Sequence, residues 1–278
     1  MGNIMWLASY PKSGNTWLRA FLANLLANKS HALPFDEWLR YGEDEARPNL
    51  FSEIAGCDTT LLDIESLCAL RPRVHALIAA RAQGTVFVKT HNLNGSFANH
   101  MLHDPSVTTG AIYVVRNPLD VAISMAAHFS LSLDEAIERL GNDGLATAND
   151  ALYVSQILGS WSYHVSSWAD QAGPRVLVLR YEDMLDKQMK TFCKVARLIG
   201  LDNSRERIER AARFAGFNQL QSMERRFGFS EAPRPNAPFF RSGRANQWRD
   251  RLSRDQVERV ITGHRAMMQR FHYLPAGY

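Results

Sequence analysis

A strand becomes a helix within the first thirty residues, with a glycine at the bend. Residues 4–9 form a nearly continuous apolar run, and Tyr10-Pro11-Lys12-Ser13-Gly14 interrupts it. Residues 15–28 then carry apolar side chains at Leu18, Phe21, Leu22, Leu25 and Leu26, the period of an amphipathic helix. A strand, a tight turn and a helix amino terminus together gather backbone N–H groups into a cradle for an anion. The alternation continues downstream. Residues 85–89, 111–115 and 175–179 are strand-like and free of proline, whereas 119–129, 151–169 and 182–199 read as helices, the last closing before Gly200. This order predicts an α/β fold, a single domain over residues 1–278 with a mostly parallel central sheet flanked by helices. Residues 30–60 and 224–246 fit neither period. Loops of that length are either covers over a substrate or plain surface excursions.

Composition narrows the partners. With 46% hydrophobic and 22% charged residues, the chain is neither disordered, collagen-like nor a coiled coil. Cys57, Cys68 and Cys193 are too few and too scattered for a disulfide framework or a zinc site, which favours a reducing interior. The formal charge of +4 suits an anionic small molecule and is too small to argue for nucleic acid. The apolar runs fall well short of the roughly 20 residues that cross a bilayer. No basic leader followed by an apolar run opens the chain, so a cytoplasmic location is expected.

The phosphate loop departs from the nucleotide-hydrolase pattern G-x-x-x-x-G-K-[ST]. Aligned on Gly14, Asn15 stands in the lysine position and Thr16 in the hydroxyl position, while the lysine has moved forward to Lys12. Three further segments bring chemistry to the same region. Thr85-Val86-Phe87-Val88-Lys89-Thr90-His91 delivers Lys89 and His91 from a strand end, and strand carboxyl ends line the ligand crevice of open α/β sheets. The run from Ala111 to Val115 ends in Arg116, and a helix starting near Pro118 places Ser124 two turns in. Phe240-Arg241-Ser242-Gly243-Arg244 lies ahead of Trp248.

In these segments the chain resembles the sulfotransferases that use 3′-phosphoadenosine 5′-phosphosulfate (PAPS), most closely bacterial members of the cytosolic type. Tyr10 to Trp17 is similar to the family's 5′-phosphosulfate loop, Lys89-Thr90-His91 to its Lys-Thr-His segment, and Arg116 through Ser124 to its 3′-phosphate motif. Arg241-Ser242-Gly243 resembles its late Arg-x-Gly loop, and Leu179-Arg180-Tyr181-Glu182-Asp183-Met184 a family strand–turn. The similarity spans almost the whole chain in the right order. It departs from the family at Ser242, where lysine is common, and at Asn15, which replaces a common threonine. No clear match to the family's short dimer-forming segment is present near the carboxyl terminus.

The resemblance implies a P-loop nucleotide-kinase-like fold and in-line transfer of a sulfuryl group from PAPS to a hydroxyl or amine, with 3′,5′-adenosine bisphosphate (PAP) as product and no metal. His91 is then the general base, a role imidazole suits because it titrates near neutrality. Lys12 neutralises the bridging oxygen and Lys89 contacts the sulfuryl group. Ser13, Gly14, Asn15 and Thr16 hold the 5′-phosphate. Arg116, Ser124, Arg241, Ser242 and Gly243 form the 3′-phosphate site, in which arginine is apt for bidentate contacts. Trp17 stacks on adenine, Phe217 faces it and Tyr181 reaches its edge, with core packing as the alternative for both Trp17 and Phe217. His128 and His164 fall on helical patterns and read as structural. Two competing readings remain at this stage: a P-loop-type phosphotransferase acting on a small metabolite, and a non-catalytic nucleotide or polyanion-binding module. The acceptor is a small molecule, lipid or glycan. Phe129, Trp161, Phe227, Phe229, Phe239 and Phe240 suit an apolar one, and the arginines of 224–244 an acidic one.

Overall fold

Strands β1 (Asn3–Ser9), β2 (Glu43–Asp44), β3 (Thr85–Thr90), β4 (Thr108–Val115) and β5 (Val176–Arg180) form one sheet of order β2-β3-β1-β4-β5. Every neighbouring pair is parallel. The computed structural model describes residues 2–170, 175–201, 204–232 and 238–278. The pleat of the central strand sorts its side chains between two cores. Ile4, Trp6 and Ala8 join one cluster, and Met5 and Leu7 the other. Both faces are therefore buried, which is why these strands read as continuous apolar runs.

On one face pack α1 (Asn15–Ala27), α6 (Gln188–Leu198) and α7 (Arg205–Phe214), with Phe21 and Phe192 stacked at 3.8 Å between ring centroids. On the other lie α2 (Ile64–Arg81), α3 (Pro118–Phe129), α4 (Leu133–Leu140), α5 (Trp161–Ala169) and α9 (Arg254–Arg270). Helix α8 (Phe217–Phe227) follows α7. The chain leaves β1 for β3 on one side and then crosses to β4 on the other. The crevice opens at that switch point, beyond the carboxyl ends of β1, β3 and β4.

The four strand expectations hold to within a few residues, and four other expectations are corrected. The helix read over 151–169 starts only at Trp161, because Gly159 adopts φ +63° and the Ser160 hydroxyl accepts from the Tyr163 N–H at 3.2 Å. The preceding stretch is instead an extended strap: Ala146 bridges Ile157, and the Val154 N–H donates to the Ala46 carbonyl at 2.9 Å. The helix read over 182–199 is two, Tyr181–Asp186 and α6, broken at Lys187 with φ −129° and ψ 43°. Residues 30–60 are not a bare loop, since they carry β2 and the helix Pro48–Ala55. Residues 224–246 begin inside α8, and 233–237 lie outside the described residues. Helices α2, α4, α7, α8 and α9 add to those read from the sequence. Pro72 inside α2 disguises that helix.

Glu45, directly after β2, builds the floor under the end of β3. Its carboxylate accepts from Arg71 Nη1 at 3.1 Å and Asn92 Nδ2 at 2.7 Å, lies 3.0 Å from His75 Nε2, and also accepts the Thr90 hydroxyl. All these groups are buried. Burial alone would raise the Glu45 pKa, but Arg71 and His75 hold it far below the ordinary range. Thr90 and Asn92, which flank His91, are thereby fixed.

Candidate active site

A cavity of about 790 Å³ occupies the switch point, and every candidate catalytic or donor-binding residue read from the sequence lines it except Ser13. Ser13 is fully buried, with its hydroxyl unpartnered among the described residues.

The phosphate loop is shaped by two residues in the left-handed region, Lys12 at φ 66° and Gly14 at φ 108°. A Cβ on Gly14 would fall 2.7 Å from the Tyr181 ring, so this bend needs glycine for both conformation and space. Asn15 Nδ2 donates to the Leu7 carbonyl at 2.7 Å, lashing the start of α1 to β1. Its side chain is thereby committed to structure, and its backbone N–H remains in the first helical turn. Trp17 meets Tyr181 and Phe192 edge-on at 5.8 and 5.9 Å.

Arg116 staples two loops together. Nη1 donates to the Lys12 carbonyl at 3.0 Å and Nη2 to the Arg244 carbonyl at 3.1 Å, with the guanidinium 4.3 Å from the centre of the Tyr181 ring. The late loop is pinned again by Asp120 in the first turn of α3, which accepts from the backbone N–H groups of Asn246 at 2.7 Å and Trp248 at 3.1 Å. Glu224 holds its other side through the N–H groups of Phe239 and Phe240. Gly243, at φ +61°, lies so close to Phe217 that a Cβ would enter the ring, which joins the Arg-Ser-Gly turn to that aromatic. Arg241, Ser242 and Gly243 line the cavity, while Arg244 is exposed and contributes its carbonyl.

The charges repel and compensate in turn. Burial pulls the Lys12 pKa down to about 7, Glu231 opposes that, and Arg116, Lys89 and Arg241 add to it. Lys89 is held by Asp44 at 2.9 Å; burial disfavours its charge, but Asp44 and Glu231 outweigh burial and raise its pKa. Glu231 arrives on the late loop, pairs with Arg19 at 2.6 Å and lies 3.4 Å from Thr16 Oγ1 and 3.9 Å from Lys89 Nζ. A lysine whose charge is disfavoured by burial and by neighbouring cations is stabilised by a polyanion, so the residues fit a phosphosulfate donor.

His91 is held in one orientation by its neighbours. Its Nδ1 lies 2.7 Å from the Ser9 carbonyl, which can only accept, so Nδ1 carries the hydrogen and Nε2 is the basic nitrogen. The His91 N–H donates to Gln156 Oε1 at 2.8 Å, and its carbonyl accepts from His164 Nε2 at 3.0 Å. Burial and then Lys89 lower its pKa to about 4, leaving it neutral at physiological pH.

The sulfotransferase domain model matches residues 3–272. The chain belongs to the sulfotransferase family. Cytosolic sulfotransferase 17 of Arabidopsis thaliana is 26% identical over 93% of this chain and 72% of its own length, and luciferin sulfotransferase of Photinus pyralis is 25% identical over 90% and 68%. Among solved structures, retinol dehydratase in complex with retinol and PAP matches with a TM-score of 0.66 at 23% identity, over 96% of this chain and 81% of that one. A mouse sulfotransferase complexed with PAP matches at 0.61 and 19%, over 98% and 89%. These likenesses establish the fold and the family.

The sulfotransferase cavity also holds residues that sequence reasoning missed. His128, read as structural, lines it, with Nδ1 3.2 Å from Lys12 Nζ and burial lowering its pKa to about 3. Its place one helical turn beyond Ser124 was the available signal. Glu231, Asp44 and Arg19 come together from three distant segments, and nothing local announces that. Of the aromatics expected near an acceptor, Phe129, Phe239 and Phe240 line the cavity. Trp161 is fully buried in the core, and Phe227 is exposed at the end of α8.

Proposed function

We propose that the chain transfers the sulfuryl group of PAPS to a hydroxyl or amine of a small organic acceptor. The sulfur–oxygen bond to the 5′-phosphate breaks as a bond from sulfur to the acceptor forms. The acceptor proton passes to His91 Nε2, leaving PAP and a sulfate ester or sulfamate. Lys12 meets the charge developing on the bridging oxygen, and Lys89 the sulfuryl oxygens. Gly14 to Thr16 offer N–H groups and the Thr16 hydroxyl to the 5′-phosphate, with Ser13 adding its backbone N–H. Arg116, Ser124, Arg241 and the Ser242-Gly243 turn take the 3′-phosphate, and Trp17, Tyr181 and Phe217 flank the adenine. The whole chain is read as one catalytic domain working in the cytoplasm, in line with relatives named cytosolic sulfotransferases.

The observation that carries this reading is the lock on His91: its Nδ1 is engaged by Ser9 beside two lysines, which turns the other nitrogen to an acceptor. The phosphotransferase reading loses ground because the residue in the kinase lysine position, Asn15, spends its side chain on Leu7. Calorimetry with PAP and 5′-AMP tests the donor assignment. PAP is expected to bind at least tenfold tighter, since charge-assisted bonds are worth roughly 1.5–3 kcal/mol each. Equal affinity overturns it.

A further inference from the structure

We propose that Arg139 reads a negatively charged group on the acceptor, so that the enzyme acts on amphipathic acceptors that carry an anion remote from the reacting hydroxyl. The proposal rests on the sulfuryl-transfer reading above. Five cations line the cavity: Lys12, Lys89, Arg116, Arg139 and Arg241. Four of them belong to the donor end. Arg139, in the last turn of α4, lines the same cavity together with Ile123, Phe129, Leu145, Leu158 and Phe239, which give that end an apolar wall.

Among the described residues, the Arg139 side chain makes no hydrogen bond or ion pair, and the reason lies in its neighbours. Glu135, four residues earlier, is the ordinary partner on a helix. Its carboxylate is instead committed to the capping box, accepting from Ser132 N–H at 2.7 Å and from Ser132 Oγ at 2.8 Å. Asp134 is taken by Arg259 at 2.7 Å and Gln256 at 3.2 Å. The two carboxylates that line the cavity are also occupied: Glu231 by Arg19, and Asp150 by the N–H groups of Leu152 and Tyr153. Arg139 is solvent-exposed and feels the Glu135 charge without bonding to it, and a guanidinium with no bonded carboxylate beside an apolar wall suits a carboxylate, sulfate or phosphate on an otherwise apolar molecule.

The test is calorimetry of the PAP-loaded protein with two matched phenols, 3-(4-hydroxyphenyl)propanoate and 4-ethylphenol. The wild type is expected to bind the propanoate about tenfold tighter, the size of one partly exposed charge-assisted contact. Arg139→Ala should weaken the propanoate about tenfold and 4-ethylphenol less than twofold, and Arg139→Lys should restore part of the preference. Equal or tighter binding of 4-ethylphenol by the wild type overturns the proposal. So does an equal loss for both phenols in Arg139→Ala, or no binding of either to the wild type. Failure of PAP to bind strikes the donor reading instead, and the same comparison made without PAP still decides Arg139.

Discussion

The two ends of the cavity are made of different material. The donor end is assembled from the tips of regular elements: the turn from β1 into α1, the end of β4 and the first turns of α3. Its contacts are braced by local backbone bonds, such as Asn15 to Leu7 and the Asn117 side chain to the Leu119 N–H at 3.0 Å. The acceptor end is walled by the extended strap over 145–158, the last turn of α3 and the late loop. His91 sits where the two meet, fastened to β1 through Ser9 and to the strap through Gln156. A donor shared across many reactions suits geometry that the backbone dictates, whereas an acceptor is met by loops that can vary.

Substitutions can separate the two ends. His91→Ala removes a group that serves only the chemical step, so turnover should fall about 10²–10⁴-fold with PAP affinity within twofold. Steady-state kinetics and calorimetry on the same protein check both halves of that statement. Arg116→Ala should do the reverse, weakening PAP about 10–100-fold while turnover at saturating donor changes less. Parallel losses in both quantities for both variants would erase the distinction between the ends.

The pH dependence of kcat/KM for the donor divides the ends again, because it reports groups of the free enzyme. His91 must be neutral to accept a proton, and burial with Lys89 holds its pKa at about 4, so activity should persist on the acid side well below the ordinary histidine range. Lys12 must be charged to meet the donor, and with its pKa lowered to about 7, chiefly by burial, activity should fall as pH rises past that value. An acid limb centred near the ordinary histidine pKa would mean that His91 stands in water rather than in this lock.

The smallest effect concerns the late loop. Ser242 stands where the family often has lysine and lines the cavity, so Ser242→Lys should tighten PAP a few-fold. Arg244→Ala should change PAP affinity less than twofold, since that residue serves Arg116 through its carbonyl, which alanine keeps. A large loss in Arg244→Ala would place its guanidinium on the nucleotide.

Legibility followed the same division. The donor end could be read because strand, glycine turn and helix start are contiguous, with Lys12 in that turn and Lys89 and Arg116 each at the end of a visible strand. The strand positions followed from buried apolar runs. The strap was misread as helix because its composition is helix-compatible, while its extended shape comes from bonds to Ala46, Leu93 and Asn92 far away in sequence. Asp44 and Glu45 were invisible inside an unassigned stretch, since a two-residue edge strand has no periodicity and its pairing with β3 is a tertiary fact. Glu231 meets Arg19 across 212 positions, a separation no local pattern can signal.

Transfer of the acceptor proton to His91 Nε2 is the central proposed step, and a series of phenols of graded acidity tests it directly. Turnover at saturating donor is measured for the wild type and for His91→Ala across phenols that range from neutral to fully ionised at the assay pH. Ionised phenols have already lost the proton, so the deficit of the variant should shrink steadily along the series and nearly close at its acidic end. A deficit that stays constant for neutral and ionised phenols alike would contradict the base assignment.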